Sequence, residues 1–148
     1  MTDTASDGPI ETDTAPYRLD EQIGFKLRLA NQKHLEIFAR RMPEVTPTQF
    51  AVLSKLRDLE SLSQNHLGRL VGMDAATTKG VVDRLRVKGL VISRPSSTDM
   101  RRLDISLTEA GLAFAGQAIS TAQEISAETS TNLTARELSR LLSLLDKL

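Results

Sequence analysis

A mainly α-helical chain with a small β-wing is what this sequence predicts, on three observations. Two short apolar-periodic stretches are parted by Gly72-Met73, the spacing of a helix-turn-helix. Two alternating stretches then flank a polar loop tipped with Asp99, Arg101 and Arg102, a pair of strands forming a wing. Longer apolar-periodic segments stand on either side, at 19–42 and 108–148. Together they describe a winged helix-turn-helix with N- and C-terminal dimerisation helices.

The 148 residues allow one domain with its own core, small enough that a second copy could add much of its stability. Hydrophobic residues make up 40% of the chain, but aromatics only 3%, and Trp is missing. The core must therefore be packed from Leu, Val, Ile and Ala, with little left for stacking on bases or sugars. The lack of Cys excludes disulfides, thiolate metal sites and a cysteine nucleophile. No basic region followed by an apolar run opens the chain, and no stretch is apolar for long enough to span a bilayer. The expected location is therefore the cytoplasm, with no membrane partner.

Through Pro16 the chain is rich in Thr, Asp, Ala and Pro, with Ile10 its one large apolar residue after Met1. Such a stretch cannot bury enough surface to offset its ordering entropy. Residues 1–18 are expected to be a flexible acidic arm, and 19–148 a single domain. A long helix is predicted over 19–42, with Ile23, Leu27, Ala30, Ile37 and Phe38 on one face and Pro43 ending it. Phe25, Leu29 and Leu35 give it a second apolar line, the mark of a helix buried between partners. Thr46-Pro47-Thr48-Gln49 combines a Thr cap, a Pro at the first helical position and a capping-box Gln. The helix it opens should turn Phe50, Leu53, Leu56 and Leu59 to the core.

Ser61-Leu62-Ser63 reads as a connector and minor strand, and Ser63 as the cap of a helix over 64–71 with Leu67, Leu70 and Val71 inward. Asp74 should cap the next helix, which runs to Lys88 and closes at Gly89. In it Thr78, Val81, Val82 and Leu85 share one side, and Ala76, Lys79, Gly80 and Asp83 the other, so one side alone can be core. Strands are predicted from Leu90 to Arg94 and through Leu103, Ile105 and Leu107; as a two-stranded ribbon they would need packing against the helices. Thr108 can cap a long helix to about Thr129. Thr134 and Glu137 form a capping box for a last helix carrying Leu138, Leu141, Leu145 and Leu148. The lobe at the centre spans 46–107.

Net charge is zero but unevenly spread. Residues 63–102 hold eight basic residues (Arg69, Lys79, Arg84, Arg86, Lys88, Arg94, Arg101, Arg102) against Asp74, Asp83 and Asp99, a net of +5. Residues 1–22 have one basic and six acidic residues, a net of −5. The basic patch falls on the helix-turn-helix and wing, where neutralising phosphates would require it.

The chain resembles the MarR family of winged helix-turn-helix transcriptional regulators from about Leu19 onward. The likeness rests on Thr46-Pro47-Thr48-Gln49-Phe50, on Leu62-Ser63 with Leu67-Gly68, and on the run from Thr77 to Leu90. It rests also on Asp99-Met100-Arg101 with Leu107-Thr108-Glu109-Ala110-Gly111. The resemblance implies a homodimer that sets two recognition helices into successive major grooves of an inverted repeat in double-stranded DNA, about 10 base pairs apart. It implies a repressor released by a small ligand; an activator, a ligand-independent regulator or a winged-helix protein-interaction module are the alternatives.

Carried over residue by residue, the base-contacting helix falls on Ala75–Arg86, with Ala76, Thr77 and Lys79 as the outward readers. Arg84 and Arg86 fall at phosphate-contacting positions, and Ser63 and Gln64, which open the preceding helix, are further DNA-binding positions. Gly80 stands where many relatives carry a large polar residue, so specificity is expected to lean on Thr77, Lys79 and the wing. Arg101 matches a wing arginine that enters the minor groove, with Arg102 beside it and Asp99 as the acid that ties the wing down by an ion pair. His34, Phe38, Arg41 and Phe50 are the candidate pocket for an anionic aromatic effector of benzoate or nicotinate type. The alternative for His34 is a hydrogen-bonded histidine in a dimer interface.

An enzyme is not expected: there is no glycine-rich phosphate loop, nucleophile elbow or metal-ligand spacing. His66 stands beside Asn65 with no Cys or paired His, so neither a metal nor a cofactor is expected.

Overall fold

A computed structural model describes residues 8 and 15–148. The arm expected over 1–18 lies outside the described residues except for Gly8 and residues 15–18. Six helices and three strands follow: α1 (Ile23–Arg41), α2 (Pro47–Leu59), β1 (Ser61–Ser63), α3 (Gln64–Val71), α4 (Ala75–Val87), β2 (Val91–Pro95), β3 (Leu103–Leu107), α5 (Glu109–Thr129) and α6 (Ala135–Leu145).

Local chemistry starts five of the helices. Thr46 Oγ1 accepts the Gln49 amide at 3.2 Å while Gln49 Oε1 accepts the Thr46 amide at 3.2 Å, with Pro47 opening α2. Ser63 accepts the His66 amide, Asp74 the Thr77 amide, Thr108 the Gly111 amide and Thr134 the Glu137 amide, at 2.7 to 3.2 Å. Each satisfies a donor that a helix start would otherwise leave bare. Left-handed Gly72 (φ 71°) ends α3 and Gly89 (φ 75°) turns the chain out of α4.

The 19–42 helix needs correcting. A 3-10 turn, Leu19–Glu21, comes first, and extended Gln22 (φ −85°, ψ 139°) separates it from α1. The Gln22 side chain donates to the Arg18 carbonyl and its amide to the Leu19 carbonyl, so the hydrogen bonds close a separate turn. The wing is also more than a ribbon: antiparallel pairing in the order β1-β3-β2 places Leu62 and Ser93 on either side of Ile105. A third strand stabilises what two would leave marginal.

Val52, Leu53 and Leu56 of α2 meet Leu67 of α3, Val81, Val82 and Leu85 of α4, and Val91 and Ile105 of the sheet. Ile37, Phe38 and Met42 join them from the end of α1, and Ala115, Ala118 and Ile125 from α5. Gly68 lets α3 and α4 approach, since a Cβ there would stand 2.7 Å from Thr78 Oγ1. Leu59 and Leu70, expected inward, are exposed. Leu59 is the last residue of α2, and Leu70 falls on the outer side of α3 because that short helix spends its inward turns on Leu67 and Gly68. Most of α1's apolar face, including Ile23, Leu27, Leu29 and Leu35, is exposed, and α6 has no buried residue.

Candidate nucleic-acid interface

The α4 helix sorts its residues as its periodicity requires. Thr78, Val81, Val82 and Leu85 are buried, and Thr78 also donates its hydroxyl to the Asp74 carbonyl at 2.7 Å. Ala76, Thr77, Lys79, Arg84 and Arg86 are exposed, with Gly80 half-buried among them. A Cβ on Gly80 would meet only the Arg84 guanidinium, at 3.6 Å, so the Arg84 tip lies over the glycine. Asp74 accepts the Thr77 amide at the helix start, and that bond is the chief reason its carboxyl is held below the ordinary carboxylate range.

The cations of the basic patch are not equivalent. Lys79 donates to Asp83 at 2.8 Å, and Arg86 to the same carboxylate at 3.1 Å and to Ser93 Oγ on β2 at 2.6 Å. Lys88 donates to the Glu44 carbonyl at 2.6 Å and to Gln49 Oε1 at 3.0 Å, which fastens the end of α4 to the α1–α2 connection. Arg69, Arg84, Arg94, Arg101 and Arg102 form no ion pair among the described residues.

A second group assembles between α3 and the base of the wing. Ser63, Gln64, Asn65 and Arg69 line a cleft of about 380 Å³ together with Arg101, Arg102 and Leu103. Four predicted site residues, Ser63, Gln64, Arg101 and Arg102, thus share one wall-to-wall space. Asn65 was not singled out from sequence, and Arg69 only as one cation of the basic patch; the available signal was their spacing of four, which puts both on one face of α3. Three guanidinium groups and the amides of a helix start give the cleft the chemistry to hold an anion. Asp99 ties the wing down differently from the expected ion pair. Its carboxylate accepts the Arg101 amide at 3.0 Å and its carbonyl the Arg102 amide at 3.0 Å, because the tight turn brings the backbone closer than any guanidinium.

The four candidate effector residues divide. His34, Phe38 and Phe50 form a line of rings with centroids 6.3 Å apart at each step, and His34 Nδ1 lies 2.9 Å from Thr129 Oγ1 on α5. Phe38 is buried and Phe50 half-buried. Arg41 instead reaches Glu128 at 2.9 and 3.2 Å and Glu124 at 3.1 Å, and Arg40 pairs with Glu128 as well. These bonds, Arg40's first and then Arg41's, hold the Glu128 carboxyl below its ordinary range. Arg41 also borders a cavity of about 120 Å³ with Met42, Glu44, Phe114 and Gln117, a space that none of the three rings lines. That is smaller than the roughly 300 Å³ at which ligand pockets begin. Among the described residues no three His, Asp or Glu cluster as metal ligands would, and no helix is long and apolar enough to cross a membrane.

Comparison with known proteins adds the lineage of this surface. The model of the MarR family matches residues 45–103, the lobe that carries α4 and the wing. The transcriptional repressor NicR of Pseudomonas putida is 37% identical over 147 residues, covering 98% of this chain and 92% of that protein. A probable transcriptional regulator from Pseudomonas aeruginosa superposes with a TM-score of 0.86 at 44% identity, over 88% of this chain and 98% of that one. BpsR of Bordetella bronchiseptica, whose structure concerns regulation of its DNA binding by 6-hydroxynicotinic acid, also gives 0.86, at 32% identity over 90% and 96% of the two chains.

Proposed function

This chain belongs to the MarR family of transcription regulators, and from that premise we propose that it is a homodimeric repressor, held on a palindromic operator until a small anionic aromatic effector releases it. What carries the proposal is the set of cations left without carboxylate partners on one helix-turn-helix and its wing: Arg84 on α4, and Arg69, Arg101 and Arg102 around the α3–wing cleft. Phosphates of duplex DNA are the partners such a surface lacks. In this reading Ala76, Thr77, Lys79 and Gly80 face the bases, Arg84 and Arg86 face the backbone, and Arg101 enters the minor groove. Ser63, Gln64 and Arg102 hold the phosphates between, and Asp99 keeps the wing in shape.

Dimerisation is supported by the apolar surface of the terminal segments, 19–42 and 108–148. Leu27, Leu29 and Leu35 of α1 and Leu141, Leu142, Leu144 and Leu145 of α6 are exposed in the single chain. So much exposed apolar area is characteristic of an interface. The effector half of the proposal draws on BpsR and on the ring line His34-Phe38-Phe50, with Arg41, held apart from that line by Glu124 and Glu128, as the candidate cation. An effector bound between the dimer helices and the lobe acts by preferring a spacing of recognition helices that does not fit the DNA. His34 as a plain interface histidine is favoured by one observation, its contact with Thr129.

Footprinting on the chain's own upstream DNA tests the proposal, with Lys79→Glu and Arg101→Glu assayed separately. Both should lose protection, and binding by the wild type should weaken steeply with salt. Two full-strength binders would overturn the DNA reading in favour of a protein-interaction module. A His34→Ala protein released at an unchanged dose of 6-hydroxynicotinate would overturn His34's part in effector binding and leave the DNA reading intact.

A further inference from the structure

Two of the cations on the recognition helix are already satisfied by one acid. Asp83 Oδ2 accepts from Lys79 at 2.8 Å, one helical turn before it, and Oδ1 accepts from Arg86 at 3.1 Å, one turn after. Arg86 continues the chain to Ser93 on β2 at 2.6 Å. All three ionised side chains are largely open to solvent: Lys79 is 68% exposed, Arg86 45% and Asp83 41%. The Asp83 carboxyl lies below its ordinary range, chiefly through the Lys79 bond, and so stays charged at neutral pH. Among the described residues neither the Arg84 guanidinium nor any guanidinium of the α3–wing cleft is paired with a carboxylate in this way.

Resting on the DNA reading above, we infer that Asp83 is a specificity-determining residue, a fixed anion that holds Lys79 and Arg86 back from phosphates of arbitrary sequence and aims Lys79 along the reading face. The electrostatics follow directly. With Asp83 in place the triad offers a polyanion one net positive charge; without it, two. To engage a phosphate, Lys79 or Arg86 must leave a bond of 2.8 or 3.1 Å and bring a carboxylate toward a like-charged backbone. On random DNA nothing offsets that repulsion. On the operator the base contact made by Lys79 offsets it, and the lysine reaches that contact already extended along the helix. An exposed pair of this spacing adds little to folding, so its main effect falls on what the cations do next.

Asp83→Asn and Asp83→Glu provide the test, each titrated with the footprinted operator segment and with a random-sequence duplex of equal length between 50 and 200 mM salt. Asp83→Asn should bind the random duplex about 3–10-fold more tightly, with a salt slope steeper by about 0.9 for each added phosphate contact. Its affinity for the operator should rise less, so the ratio of specific to non-specific binding falls. Asp83→Glu, which keeps the charge, should restore most of that ratio; a fold-stabilising role alone would move neither slope nor ratio. If wild type and Asp83→Asn share one ratio and one slope, or the ratio rises, Asp83 does not confer specificity and the DNA reading still stands. A wild type that binds neither duplex in a salt-dependent way overturns the DNA reading and this inference together.

Discussion

The winged-helix lobe and the terminal helices treat the same residue types in opposite ways. In the lobe, leucines and valines are spent inward: Leu53, Leu67, Val82, Leu85 and Ile105 have no exposed surface. On α6 no leucine is buried and four, Leu141, Leu142, Leu144 and Leu145, are exposed, Leu142 by as much as 55%. The lobe closes its core from its own elements, with the end of α1 and the inner face of α5 packed on it, whereas the first turns of α1 and the whole of α6 present apolar stripes to which this chain adds little. A region that closes on itself should unfold independently of concentration, and a region completed by a second copy should not.

The strongest challenge to that contrast is a cavity in the lobe. Leu53→Ala should lower unfolding free energy by about 4 kcal/mol, measured by urea denaturation, with the loss unchanged across a hundredfold range of protein concentration. A loss that varied with concentration would mean that the lobe, too, depends on self-association. Next comes the joint between the regions, where α5 leaves the lobe. Gly111 lies against the backbone of Leu90, and a Cβ there would fall 2.9 Å from the Leu90 carbonyl carbon and 3.2 Å from its Cα. Those atoms belong to the chain between α4 and β2, which Thr108 also grips through the Leu90 and Gly89 carbonyls. Gly111→Ala should cost about 3 kcal/mol by overpacking.

A substitution in the other region should behave differently in kind. Leu142→Ala removes apolar area already exposed in the single chain, so it should barely affect a monomer. It should weaken self-association by about 2 kcal/mol per protomer, read by sedimentation equilibrium. Unaltered association would exclude this face of α6 from the interface. Smaller again, and of opposite sign, is Gly80→Ala. The added methyl meets only the Arg84 tip at an ordinary contact distance, so the variant should gain about 1 kcal/mol from helix propensity alone. If it also loses operator affinity, the glycine serves the position of Arg84 and not merely the helix.

How far each region was legible in the sequence follows the same division. The caps at Thr46, Ser63, Asp74, Thr108 and Thr134 could be read because each is a bond between residues three apart, and α3 and the lobe core followed from periodicity. The break at Gln22 was not legible, since the pattern of apolar residues runs through it and only hydrogen bonding separates the turn from α1. Leu70 shows the limit of periodicity on an eight-residue helix, where a residue one position from the core line can face out. The α3–wing cleft depends on β1 joining the sheet, which brings Arg69 and Asn65 to residues more than thirty positions away. Arg41 was placed correctly on α1, but its partners Glu124 and Glu128 lie more than eighty residues on, beyond the reach of any local pattern. Asp83 was visible on the polar side of α4, yet its spacing to Lys79 and Arg86 says only that the three can meet.

Acid offers the finest separation of the two regions. Among the described residues four carboxyls are held below their ordinary values, Asp74 and Asp83 in the lobe, and Glu128 and Glu137 on the terminal helices. A carboxyl lowered on folding stabilises fully above its unfolded value and loses that contribution as pH falls through the lower folded one. For the glutamates the loss therefore begins below about 4.5, and for the aspartates below about 3.8. The Glu137 carboxylate closes the α6 capping box by accepting the Thr134 amide at 2.9 Å, a bond that a Gln side chain can also make. Glu137→Gln should thus leave stability at pH 7 almost unchanged while flattening the loss that sets in below about pH 4.5, as followed by thermal melts. Asp83→Asn should flatten only the lower part of the same curve. If Glu137→Gln flattens no part of the curve, the Thr134 amide does not hold the Glu137 carboxylate in its charged form, and α6 does not draw its acid sensitivity from its capping box.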